Sequence, residues 1–493
     1  MLSSASRAIF LASMFGLFLE LALIRWLSCE VRVFAYCKNL VLVASFLGFG
    51  TGCFLSGRRP LFLLATGTLL AITAVVCIPS SFLDAYGPPQ ITVILSELPR
   101  FMIFRNQMPH LENAWGLLPR LAFAVGWTTL LFFAVALIVV PFGQVTAAGI
   151  ARLRNPIRAY SINVIGSLVG ILAYTAVTAL WLPPSAWFLI IGVGVLVLAP
   201  KGRAWAVLLA MTVGIVLITL PAIKPDVQTA WSSYQKLSLD LRRRWIVVNN
   251  TGFQQMVSMA EVASMDLIHR FNLPYRIRKP VGRVLIVGAG SGNDVSAALF
   301  CGATSVTAVE IDPMIYGLGR QFHPNKPYED PRVRVVIDDA RHFLKTSTDA
   351  FDLIVFSHLD SHTLLSSYTT VRLDNYIYTR QAFEEARRHL APDGILYVSY
   401  FSEQPFIGKR LNRNLSLAFG HDPVWMEGSR TGEVESYWRN IYFLTGESAL
   451  MGALQSSTAT LKGSSTSPTP SPPSCRRPTS GRSFRSSSAR CRR

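Results

Sequence analysis

The sequence predicts two architectures in one chain: an α-helical membrane domain, then an α/β domain built on a doubly wound parallel sheet. Three observations predict this. Seven apolar runs precede residue 222, the chain beyond residue 283 alternates short aliphatic strands with helices, and charge is divided unevenly between the two parts. The 493 residues are 51% hydrophobic and 15% charged, with mean hydropathy +0.35, whereas soluble domains carry about 25% charged residues. Residues 1–221 hold 14 Lys/Arg and 5 Asp/Glu, residues 222–462 hold 26 and 24, and residues 463–493 hold 7 Arg and no acid. The net charge of +18 thus sits mostly at the two ends and not on one face, and no nucleic-acid partner is expected.

The apolar runs are residues 8–24, 39–56, 61–78, 121–142, 159–182, 185–199 and 204–223. A bilayer core about 30 Å thick needs about 20 apolar residues per helix, so six runs are expected to span it and 185–199 falls short. The first run is read as a retained span, because no small-residue cleavage site precedes the next one. Gly48, Gly50 and Gly52, and the pair Gly166 and Gly170, suit close helix packing. Glu20, inside the first run, lies near Arg25, which predicts a buried or interfacial pair. Arg58 and Arg59, then Arg152, Arg154 and Arg158, then Lys201 and Arg203 flank alternate loops. The positive-inside rule puts those loops in the cytoplasm. Seven full crossings then leave the globular part outside, and a re-entrant sixth run brings it inside.

Four regions follow: a multi-span membrane domain (1–223), a linker and small β segment (224–280), an α/β domain (281–446) and a basic Ser/Pro/Arg tail (447–493). The tail has no apolar period beyond residue 463 and is expected to be disordered, or to be the product of a shifted reading frame in a GC-rich gene. Seven cysteines without any CxxC spacing indicate neither a zinc site nor a disulfide framework.

In the α/β domain, Arg283–Val287 is a short aliphatic strand, followed by Gly288, Gly290 and Gly292 and a helical run to Phe300. A second strand ends at Glu310, a third runs into Asp338 and Asp339, and a fourth ends at Phe356, before Ser357, His358 and Asp360. A helix over 379–390, a turn at Pro392 and Gly394, and a fifth strand over 395–401 complete the pattern. Such βαβ repetition makes a Rossmann-like sheet whose ligand lies at the carboxyl ends of its strands.

Glycines after the first strand let backbone approach a ligand that side chains would block, and the following helix terminus offers free N–H groups. An acid at the end of the second strand, 20 residues after Gly290, suits a ribose diol as a two-oxygen acceptor. The glycine loop, Glu310 and Asp339 at three successive strand ends therefore indicate a nucleoside ligand. The loop lacks a second Gly-x-x-Gly step, which favours an S-adenosylmethionine type of site over a dinucleotide type.

Segments 284–294, 306–313, 333–344, 351–360 and 391–397 resemble the spermidine synthase-like (polyamine) aminopropyltransferases, a branch of the class I methyltransferase fold. Ser232, Tyr234 and Gln235 resemble that family's Ser-x-Tyr-Gln segment, which opens a small amino-terminal β domain. The likeness covers roughly residues 230–445, and fusion to apolar spans is similar to the membrane-bound bacterial members. The resemblance implies that Glu310 binds the ribose hydroxyls, Asp339 with Ala340 the adenine edge, and Gln235 the nucleoside, with Gly288, Gly290, Ser291 and Gly292 lining the sulfonium. Two departures stand out. The family's loop Asp, which holds the amine of decarboxylated S-adenosylmethionine, is Ser291 here, and of the two carboxylates after its fourth strand only Asp360 remains. The family's Tyr-His-Glu segment is also missing from residues 265–270. Ser291 removes a charge that would repel a carboxylate, which favours intact S-adenosylmethionine.

The expected function is methyl or aminopropyl transfer from S-adenosylmethionine or its decarboxylated form, as co-substrate, to a polyamine or other small-molecule acceptor. Asp360 and His358 are the candidate catalytic residues, as general base or to orient the acceptor. The alternative is a catalytically inactive nucleoside sensor coupled to a membrane domain. The bilayer and a second copy of the chain are the expected partners, and no metal is expected, His358, Asp360 and His362 being read as substrate-facing or exposed. Cytosolic supply of the co-substrate favours a bacterial inner-membrane protein with its soluble domain in the cytoplasm.

Overall fold

The computed structural model describes residues 3–31, 34, 38–77, 114–220, 226–260, 271, 273–356, 359, 376–402, 405–427 and 439–464. Among the described residues, seven helices build the apolar part: α1 (Ser4–Glu30), α2 (Lys38–Phe54), α3 (Phe62–Cys77), α4 (Ala114–Arg152), α5 (Pro156–Ala179), α6 (Pro184–Leu198) and α7 (Arg203–Thr219). Three of them, α1, α4 over Val125–Arg152 and α5, are long and apolar enough to cross a membrane, fewer than the six runs predicted to do so. The other four have only 15 to 17 residues. Backbone signals mark where two of them begin: Pro183 and Pro184 open α6, and Gly202 precedes α7.

Small residues decide how these helices cross. A Cβ on Gly48 or Gly52 of α2 would lie 2.0 or 2.2 Å from the carbonyl oxygen of Ala136 or Val140 of α4. On Gly166 or Gly170 of α5 it would lie 2.6 or 2.3 Å from Phe10 or Met14 oxygen of α1. Backbone thus touches backbone in both crossings, while Gly50 faces open space. The ascending numbers on both partners make α2 parallel to α4 and α5 parallel to α1. Gly16 meets Phe142, Gly149 meets Ile9 and Gly194 meets Phe15, so α4 and α6 run against α1. Gly67 faces Met211 and Gly214 faces Leu70, which aligns α3 with α7, and the Gln144 side chain bonds the backbone at Leu55, Arg59 and Leu61. Helices α1, α3, α5 and α7 therefore run one way and α2, α4 and α6 the other, with the basic loops at the amino-terminal end of α1.

The two sheets sit at the opposite end, where Arg25 and Glu30 of α1 bond Ser232 and Lys236. The first sheet is the meander β1 (Val227–Trp231), β2 (Lys236–Asp240), β3 (Trp245–Val248) and β4 (Thr251–Gln255), all antiparallel. Alternation along β2 buries Leu237 and Leu239 between half-exposed polar residues, the two-residue period of a sheet with one wet face. That apolar face packs on Ile315 and Leu318 of a helix in the second domain.

The second sheet has seven strands in the order β10-β11-β9-β8-β5-β6-β7: β5 (Arg283–Val287), β6 (Ser305–Glu310), β7 (Val333–Ile337), β8 (Phe351–Phe356), β9 (Leu390–Ser402), β10 (Val424–Glu427) and β11 (Arg439–Gly446). Strands β5 to β9 pair in parallel and β11 is antiparallel to both neighbours. This mixed, doubly wound order is that of a methyltransferase-like fold. Val284 to Val287 are fully buried, as a central strand covered on both faces requires. Two features differ from expectation. Pro392 and Gly394 form no separate turn but an irregularity within β9, which advances from Leu390 to Ile395 while β8 advances from Phe351 to Leu353. Strands β10 and β11 complete the sheet beyond the five predicted.

Helices α8 (Leu273–Ile277), α9 (Asn293–Phe300), α10 (Pro313–Phe322), α11 (Ala340–Thr346), α12 (Arg380–Arg388) and α13 (Pro405–Phe419) flank the sheet. The region read as a tail from residue 447 instead begins with α14 (Met451–Ser464), whose Leu454 is 3% exposed in the core of this domain. Burying one such side chain is worth about 1.5–3 kcal/mol, enough to hold a short helix in place.

Candidate nucleoside site

Pairing registers bring the predicted residues to one edge. Val287 lies opposite Val309 on one side and Phe356 on the other, and Glu310 opposite Ile337. The loop from Gly288, the carboxylate of Glu310 and the Asp338–Asp339 step therefore emerge side by side at the carboxyl ends of β5, β6 and β7. The Asp338 N–H bonds Glu310 O at 3.1 Å, which locks the last two together.

The loop is tight because its glycines permit it. Gly288, Gly290 and Gly292 all have positive φ. At Gly290 (φ +58) a Cβ would also stand 2.9 Å from Gln254 Oε1, so backbone freedom and space both select glycine. The Gly290 N–H donates to Glu310 Oε2 at 2.7 Å, and the Asp312 N–H donates to Glu310 Oε1 at 2.9 Å. Glu310 is 7% exposed. Burial pushes its carboxyl above the usual carboxylate range, and the bonds from the Asp312 and Gly290 N–H groups act against that rise.

Asp339 caps α11, its Oδ1 accepting from Arg341 N (2.9 Å) and His342 N (3.0 Å), with Ala340 opening the helix behind it. Gln235 Nε2 donates to Asp312 Oδ2 at 3.1 Å, so Gln235 lies at the start of α10, directly behind Glu310. Asp312 caps α10, and Asp294 lies inside the first turn of α9, which Gly292 caps. Ser291 is fully buried, and its Oγ and N–H both donate to Gln254 Oε1, at 2.9 and 3.2 Å. Its side chain thus faces Gln254 of the small sheet. His358, Asp360 and His362 lie outside the described residues, as do Tyr368 and the segment 265–270. Among the described residues no group of three His, Cys, Asp or Glu side chains could hold a metal ion.

Several contributors carry no motif that sequence reasoning could use. Gln254 of β4 closes over the glycine loop. Tyr328 donates its hydroxyl to Gly290 O at 2.7 Å, and burial pushes that phenol well above its ordinary range. The Tyr378 hydroxyl accepts from the Leu359 N–H at 3.2 Å, and its ring packs edge-on against Tyr400. The Glu20 pair expected with Arg25 is not formed. Arg25 instead donates to Ser232 O and lies over the rings of Trp187 and Trp231.

Residues 271–421 match the family described as "Spermine/spermidine synthase domain". The chain is 30% identical over 118 residues to polyamine aminopropyltransferase 1 of Pseudomonas aeruginosa, covering 23% of this chain and 38% of that protein. It is 31% identical over 161 residues to the polyamine aminopropyltransferase of Shigella boydii, covering 30% and 53%. The chain thus spans at most about half the length of these curated relatives. Among solved structures, the spermidine synthase of Thermotoga maritima aligns at 18% identity and TM-score 0.34, over 44% of this chain and 72% of that one. Over residues 271–421, joined to a bundle of apolar helices, the chain thus matches the spermine/spermidine synthase domain family.

Proposed function

We propose that the protein is a membrane-attached, spermidine synthase-like transferase that moves the aminopropyl group of decarboxylated S-adenosylmethionine to an amine acceptor. The observation that carries this reading is Glu310, a buried carboxylate braced by the Gly290 and Asp312 N–H groups at the carboxyl edge of the parallel sheet. Its remaining lone pairs suit the ribose diol, while Asp339 and Ala340 stand where an adenine edge would lie. The names of the aligned relatives favour aminopropyl over methyl transfer. In such a reaction an unprotonated amine attacks the carbon beside the sulfonium, the C–S bond breaks, and methylthioadenosine leaves as a neutral thioether. Asp360, with His358, is assigned to take the proton from the incoming ammonium and hold the amine in line.

The test is calorimetry on the full chain in detergent with each nucleoside, followed by product analysis. Preference for the decarboxylated ligand and release of methylthioadenosine support the proposal. Preference for S-adenosylmethionine with release of S-adenosylhomocysteine makes the protein a methyltransferase, and binding without turnover makes it a sensor.

We further infer that the bundle is inserted in the inner membrane with all seven helices crossing. The four short helices are about 22–26 Å long at 1.5 Å per residue, a mismatch that bilayer thinning and flanking residues absorb. Because Arg58, Arg59, Arg152, Arg154, Arg158, Lys201 and Arg203 gather at the end away from the soluble domain, the positive-inside rule favours an outward-facing domain. This replaces the cytoplasmic placement that co-substrate supply suggested, and nucleoside and amine would then be drawn from the outer side.

A further inference from the structure

We propose that the first membrane helix positions the nucleoside-binding carboxylate, with Arg25 as a positioning residue acting through Ser232 and Asp312 on Glu310. This rests on the nucleoside reading of the site and adds to it a role for the bundle. The Arg25 guanidinium lies between two indole faces, its Cζ 5.0 Å from the Trp187 centroid of α6 and 5.8 Å from the Trp231 centroid at the end of β1. The two indoles meet edge to face at 5.3 Å. From that slot Arg25 donates to the carbonyl of Ser232. Ser232 is fully buried, and its hydroxyl donates to Asp312 Oδ2 at 2.7 Å and accepts from the Tyr234 and Gln235 N–H groups, both at 3.1 Å. The Asp312 N–H holds Glu310 Oε1, and Glu310 Oε2 holds the Gly290 N–H. Every link is a direct hydrogen bond, and three of the four residues from Ser232 to Gly290, namely Ser232, Asp312 and Glu310, are buried.

A second tether keeps the first in register. Five residues along α1, Glu30 accepts both bonds from Lys236 Nζ at 2.8 Å and one from Asn250 Nδ2 at 2.9 Å. Residues 232–236 are thus gripped at both ends by α1, so a rotation or shift of that helix moves the turn that bonds Asp312. A chain of buried polar contacts transmits such a shift because its buried donors and acceptors cannot be left unpaired cheaply.

The experiment compares the full chain with Arg25→Gln, Arg25→Lys and Ser232→Ala in detergent, with two readouts. Hydrogen exchange is followed without ligand in peptides covering 288–292, 310–314 and, as a control, 333–337, and nucleoside affinity is measured in parallel. The expected result is faster exchange at the Gly290 amide in Arg25→Gln and Ser232→Ala, unchanged exchange over 333–337, affinity weakened about tenfold, and recovery of most of both in Arg25→Lys. Unchanged exchange at 288–292 in both variants overturns the proposal, even if affinity falls. If the wild-type chain binds neither nucleoside, the transferase reading fails while the exchange result still decides the relay. Should Arg25→Gln not fold, Arg25→Lys reports on the bond to the Ser232 carbonyl and Ser232→Ala on the bond to Asp312, and unchanged exchange at 288–292 in both overturns the proposal.

Discussion

The imidazole Nε2 of His323 lies 3.0 Å from Asn293 Oδ1, joining the end of α10 to the start of α9 beneath the glycine loop. The Asn325 N–H donates to Nδ1 of the same ring at 3.1 Å, so Nδ1 is the acceptor and Nε2 carries the proton. Asn293 also accepts from Val257 N–H and donates to Gln255 O, and Asn325 accepts from Met259 N–H. One neutral histidine thus pins the segment leaving β4 onto the nucleotide-type domain.

That geometry predicts an acid-sensitive fold. Burial, with Arg244 nearby, pushes His323 down to about 4 from an ordinary 6.5. Below pH 6.5 the unfolded chain binds a proton that the folded chain refuses, so stability is intact above that value and falls as pH drops toward about 4. The loss saturates on the order of 3 kcal/mol at 1.36 kcal/mol per pH unit. Thermal unfolding of His323→Gln should show a lower plateau and a flatter acid limb between pH 6.5 and 4. An acid limb identical to wild type would remove His323 as its source.

Glu310→Ala should weaken nucleoside binding by at least tenfold, because it removes the only carboxylate bonded to the glycine loop among the described residues. Glu310→Gln should lose less, since its amide keeps one acceptor. Equal affinity in Glu310→Ala and wild type, measured by calorimetry, would sink the assignment.

Packing of the bundle is tested by a pair of adjacent alanines. Gly48→Ala drives a methyl group into the Ala136 carbonyl and should cost about 1–3 kcal/mol of stability. Gly50→Ala, two residues on, meets open space and should be neutral or slightly stabilising. Melting curves in detergent separate the two, and equal melting would mean that α2 and α4 do not cross at Gly48.

Sidedness has its own prediction. A phosphatase fused after Ser464 should be active outside the cytoplasmic membrane, and a fluorescent protein at the same point should stay dark when exported unfolded. The reverse pattern would place the soluble domain, and its nucleoside supply, in the cytoplasm.

The residues that carry chemistry were legible because strand ends are short-range features. The aliphatic run Val284 to Val287 declares a central strand, the glycines after it declare a turn, and an acid ending β6 needs only the next strand's register to meet them. Strand β9 absorbed Pro392 and Gly394 because pairing with β8 outweighed local turn preference.

Sequence alone determined the division into an apolar bundle and an α/β domain, and the strand ends at which Gly288, Glu310 and Asp339 emerge, since these follow from periodicity and from residues close in the chain. Tertiary structure decided everything that joins distant segments. It turned Ser291 toward Gln254, set Arg25 between Trp187 and Trp231 instead of beside Glu20, and placed the basic loops at the far end of the bundle. Those outcomes depend on which surfaces meet across more than 30 residues of chain, and no local propensity encodes which buried donor will find which acceptor.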